Sequence, residues 1–124
     1  MSETPILDAI AADEAAVRDA GQVARDLLTA HSGLPVADVR LYRFHQAAEV
    51  HIEVPHPEGV RAWAARLDGR AVYTKDADDT RVYEHWNAEI RMAEVQVRVW
   101  HCRLTWPDDE QAAPASAAAA GGAR

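Results

Sequence analysis

Apolar residues recur at helical spacing over the first quarter of the chain. Ile6, Ile10, Val17, Ala20, Ala24, Leu27 and Leu28 fall close to a 3.6-residue period, which predicts one long amphipathic helix from about Pro5 to His31. Thr4 is the expected N-cap, with Pro5 at the first helical position and Asp8 near the positive end of the helix dipole. Gly21 is a candidate for a bend or a close contact. Gly33, followed by Leu34 and Pro35, is the expected stop.

The period then changes to two. VADVRLYRF and AEVHIEV read as strands, and in the second Val50, Ile52 and Val54 alternate with Glu49, His51 and Glu53, as a half-buried strand requires. Pro55 and Pro57 end it. Helical spacing returns in GVRAWAARL, where Val60, Trp63, Ala64 and Leu67 make one tryptophan-anchored stripe, closed by Asp68 and Gly69.

Three further strands follow: RAVYT, RVYEHWNAEI and VQVRVWHCRLTW. A tight turn on Met92 and Ala93 would set Ile90 against Val95, Ala88 against Val97 and Trp86 against Val99, all on one face. That turn lacks the Gly or Asn a two-residue loop prefers. Tyr83, His85, Asn87, Gln96, Arg98, Trp100 and Cys102 share the opposite face. The expected fold is therefore α+β in the order α-β-β-α-β-β-β. It is a mainly antiparallel sheet with helices on one face, forming a single domain over residues 1–106. Residues 107–124, rich in Ala, Pro and Gly, are expected to be a disordered tail.

Charge narrows the partners. The net charge is −7, but residues 1–31 hold six acids against two bases, while residues 32–106 hold eleven against ten. No basic stripe is present, which disfavours nucleic acid. No apolar run approaches a membrane span, and the N-terminal sequence lacks the basic and apolar regions of a signal peptide. Together with the lone Cys102, this reads as a cytoplasmic protein in a reducing compartment.

Candidate chemistry is sparse. His45, His51, His101 and Cys102 could meet at a zinc ion only if the strand order brought them together, and the plainer expectation is exposed strand histidines with no metal. Asp76, Asp78 and Asp79 lack the glycine and distal glutamate of a calcium loop and suit a solvated turn. Glu84 and His85 are strand neighbours pointing to opposite faces, so with Glu89 they do not make an acid–base pair. Ser32, Thr74 and Thr80 lie at a helix end or beside a turn, and no GxSxG, glycine-rich or phosphate-binding motif occurs. Cys102 alternates with Trp100 and Leu104 as a small apolar filler would. No catalytic residue and no cofactor are expected.

VRAWAARL and VQVRVWHCRLTW, with the Ala- and Arg-rich style of the chain, resemble a group of uncharacterised small actinobacterial proteins, some associated with phages or integrative elements. The resemblance covers about residues 22–106, rests on the apolar spacing around Trp63 and Trp100, and brings no activity with it. Glu94 stands where that group would have a turn glycine.

The reading that follows is a non-catalytic protein-interaction or regulatory module. Its partner is another protein or a second copy of itself, and its expected contacts are Tyr83, His85, Arg98 and Trp100. Trp100 could instead be core if a helix covers that face. A DNA-associated regulator is the second class, and it lacks a helix-turn-helix signature. A small-molecule enzyme is the third, and it would need a cavity between sheet and helices lined by His45, His51 or Glu84.

Overall fold

The computed structural model describes residues 3–44 and 47–106. The tail expected from Pro107 onward, and His45, lie outside the described residues. Helix α1 spans Glu3–Ala30, strand β1 Asp38–Phe44, β2 Ala47–Glu53, helix α2 Pro57–Arg66, β3 Ala71–Ala77, β4 Val82–Met92 and β5 Val95–Thr105. The α+β class and the element order are those the hydrophobic periods predict. The sheet order is β1-β2-β5-β4-β3.

The described residues divide into two compact bodies, a larger one of residues 3–44, 47–72 and 86–101 and a smaller one of residues 73–85 and 102–106. In the larger body, β1 and β2 form an antiparallel hairpin, whereas β2 and β5 run parallel, with Val50 beside Val97 and Ile52 beside Val99. A parallel pair needs a long crossover, and the intervening chain supplies it. The core of this body unites both helices with one face of the strands. Ala20, Ala24 and Leu27 of α1 and Val60, Trp63 and Ala64 of α2 are buried with Val50, Ile52, Trp86, Ala88, Val95, Val97 and Val99.

The helix ends depart from expectation in instructive ways. Helix α1 begins at Glu3, so Thr4 and Pro5 lie inside its first turn, where a proline is tolerated because the first N–H groups have no intrahelical partner. It ends at Ala30, and a turn over 31–33 follows, in which His31 N–H donates to Leu27 O and Leu34 N–H to His31 O. Gly33 is not left-handed and its Cα faces open space, so it does not act as a C′ glycine. A Cβ at Gly21 would meet Leu41 Cδ1 at 3.8 Å, an ordinary van der Waals contact, so no close approach requires the glycine.

Helix α2 is capped by His56, an unusual N-cap, whose Nδ1 accepts from Gly59 N–H, with Pro57 in the first turn. Its C-terminus closes as a Schellman motif: Gly69 N–H donates to Ala64 O at 2.7 Å across Asp68, which takes the left-handed φ of 59°. The glycine is needed for a different reason. A Cβ at Gly69 would lie 2.7 Å from Ile90 Cγ1. Trp63 anchors α2: it is fully buried, its indole N–H donates to Pro35 O at 2.8 Å, and it meets the His31 ring edge-on.

The β4–β5 turn falls on Ala93 and Glu94, one residue later than expected, with Ala93 at φ 55° in the role usually given to Gly or Asn. The cross-strand pairs shift accordingly. Glu89 meets Arg98 and Trp86 meets His101, both symmetric about that turn, so Trp86 does not stand opposite Val99. Face membership survives because the shift keeps the two-residue parity.

Candidate functional site

Within the larger body both helices bury against one face of the strands, and neither helix packs on the other. In the larger body the strand register arranges that outer face in three rows across β1, β2 and β5. Arg40, His51 and Arg98 form the middle row. Asp38, Glu53 and Trp100 form the row on one side, and Tyr42, Glu49 and Gln96 the row on the other.

Each basic side chain in the middle row has its own carboxylate partner. Arg40 Nε donates to Asp38 at 2.8 Å, His51 Nε2 to Glu49 at 2.8 Å and Arg98 Nη2 to Glu89 on β4 at 2.6 Å. The Arg40 guanidinium, by hydrogen bond first and charge second, holds the Asp38 carboxyl below its ordinary pKa. Tyr42 packs its ring against His51 at 4.4 Å between centroids. Asp38, Arg40, Tyr42, His51, Glu53 and Trp100 line a shallow depression of about 230 Å³. Trp100 is half-buried, and the β2–β5 register places it on this face beside Glu53. Its main chain is tied in by Val54 N–H donating to Trp100 O.

Of the four expected contact residues, Arg98 and Trp100 belong to this array. Tyr83 and His85 belong to the smaller body, where their rings stack nearly parallel at 6.2 Å. Burial, then the neighbouring Cys102, raises the Tyr83 phenol above its ordinary pKa. In the same body Glu84 accepts from Arg103 Nε at 3.0 Å and from Tyr73 OH at 2.7 Å. Those two donors, Arg103 first, hold its carboxyl below the ordinary range, and the same bond raises the Tyr73 phenol.

Two of the residues named for a small-molecule site, His51 and Glu84, are described. His51 lies on the helix-free face, away from the packed side of the sheet, and Glu84 accepts from a guanidinium and a phenol. His51 and His101 point to opposite faces, and His101 Nδ1 donates to Val54 O at 2.9 Å at the end of the core. Among the described residues no group of three or more His, Cys, Asp or Glu could hold a metal ion. Asp78 instead builds the β3–β4 turn: its carboxylate accepts from Thr80 Oγ1, Thr80 N–H and Arg81 N–H, which lowers its pKa. Thr80 is thereby engaged in the turn.

Arg40, Tyr42 and His51 escaped the sequence reading as companions of Arg98 and Trp100. Nothing local announces a parallel β2–β5 pair, and the only available signal is that β2 is apolar enough on one face to be central. Among the described residues no helix is long and apolar enough to cross a membrane. No protein-family model, no curated protein and no solved structure matches the chain.

Proposed function

We propose that this chain is a non-catalytic protein-interaction module of an actinobacterial or mobile-element system, acting in the cytoplasm and docking another protein on the helix-free face of its larger body. The observation that carries the reading is the uncovered array around Arg40, Tyr42, His51, Arg98 and Trp100. Half-exposed Trp, Tyr and Arg side chains held in register by a rigid sheet are the residue types that dominate binding energy at protein interfaces. Carboxylates outnumber guanidinium groups in this array and pair with both of them, which suits a protein surface better than a phosphate backbone. The stacked Tyr83 and His85 of the smaller body are proposed as a second contact.

The test is affinity capture from cells of the source organism with the wild-type chain, the Arg98→Ala/Trp100→Ala variant and, separately, Tyr42→Ala. Circular dichroism would verify that each variant keeps its fold. The expected result is a discrete partner retained by the wild type and lost or strongly depleted with the variants. Identical capture by all three chains would overturn the assignment of this face. Unfolding of the double variant would return Trp100 to the core.

A further inference from the structure

Helix α1 is 28 residues long, yet only its second half is packed. Ala20, Ala24 and Leu27 are buried, and Ala16, Val23 and Leu28 pack partly against the core. Every residue from Thr4 to Ala12 is exposed, about 14 Å of helix at 1.5 Å per residue. Ile6, Leu7, Ile10 and Val17 are 60%, 62%, 50% and 41% exposed. They are not scattered: Ile6, Ile10 and Val17 continue the stripe that becomes core further along. Helical stability in proteins comes mostly from packing an amphipathic face, so these unpacked first turns gain most from being covered.

Charge selects what could cover them. Residues 3–19 hold five acids against one base, a net of −4. Asp13 is engaged by Arg43 at 3.2 Å. A second copy laid along this face would set two such acidic segments together, a like-charge arrangement that disfavours association. A cationic segment has no such penalty.

We propose that the N-terminal half of α1 docks a cationic amphipathic helix of another protein, seating its apolar side on Ile6, Leu7, Ile10 and Val17 and its Lys and Arg residues among the acids of α1. This surface is separate from the helix-free sheet face and does not depend on it.

The test titrates the full chain into a fluorescent synthetic 18-residue peptide of Leu and Lys, with Leu at i, i+3, i+4 and i+7. A Leu/Glu peptide of the same pattern is the control. Saturable binding of the Lys peptide alone is expected, weakened at least tenfold by Ile6→Ser/Ile10→Ser, weakened also by Glu14→Lys, and retained by Arg98→Ala/Trp100→Ala. All replaced positions on α1 are exposed, and circular dichroism would check that the helix remains. Absence of saturable binding would overturn the proposal, as would equal affinity for the Ser variant, which would mean adhesion by charge alone. Sedimentation equilibrium showing a dimer that Ile10→Ser dissociates would give the face to a second copy and would equally overturn it.

Discussion

Replacing Trp63 by Phe separates two things the indole does. Trp63 is fully buried between the turn after α1 and the strands, and its N–H donates to Pro35 O at 2.8 Å across a long sequence separation. Phenylalanine keeps an aromatic ring but removes the donor, which costs about 1–3 kcal/mol when the abandoned acceptor is poorly solvated. The smaller ring leaves unfilled volume, worth roughly 1 kcal/mol more. The expected loss is therefore about 2–4 kcal/mol, against roughly 3–5 for Trp63→Ala. Urea unfolding followed by far-ultraviolet circular dichroism reads this without relying on the replaced fluorophore. With a slope of about 2 kcal/mol per molar urea, the midpoint should fall by about 1–2 M. A loss below about 0.5 kcal/mol, the range of an ordinary surface substitution, would refute the claim that this bond fastens α2. Equal losses for Phe and Ala would refute the packing contribution.

Neighbouring positions at the end of α2 should respond with opposite signs. Asp68→Gly relieves a left-handed non-glycine residue and should raise stability by up to about 1 kcal/mol, read as a higher melting temperature. Gly69→Ala forces a Cβ into Ile90 and should lower stability by about 1–3 kcal/mol, partly recovered by combining it with Ile90→Val. In the smaller body the carboxyls of Asp78 and Glu84 titrate below their unfolded values, so their contribution is present above about pH 4–5 and is lost as pH falls through the folded values. The phenol of Tyr73 is raised, so its contribution is present below about pH 10 and is lost as pH rises through its folded value. Amide exchange in the β3–β4 turn should accordingly quicken first at the acid end, and Asp78→Ala should remove that acid dependence from Thr80 and Arg81.

What was legible in the sequence was what local period encodes. The stripes of α1 and α2, the alternation in β2 and the face membership of β4 and β5 all follow from spacing, because burial on one face imposes it. The errors fall where one residue's backbone decides. Ala93 adopts a left-handed conformation without being glycine, which places the β4–β5 turn one residue later than expected, and Gly33, expected to stop α1, is not left-handed. His56 caps a helix although Ser, Thr, Asp and Asn are the usual signals. The site was half legible: Arg98 and Trp100 were visible as an outward pair on β5, whereas Arg40, Tyr42 and His51 join them only through a non-local parallel pairing.

The central claim, that the helix-free face around Arg98 and Trp100 is where a partner protein sits, is tested most directly by site-specific photo-crosslinking in the source cells. A photoreactive phenylalanine would replace Tyr42 on that face or, as the control, exposed Arg61 on α2. A discrete adduct of defined mass from position 42, absent from position 61, is the predicted result. No adduct at 42, or the same adducts at both positions, would contradict it.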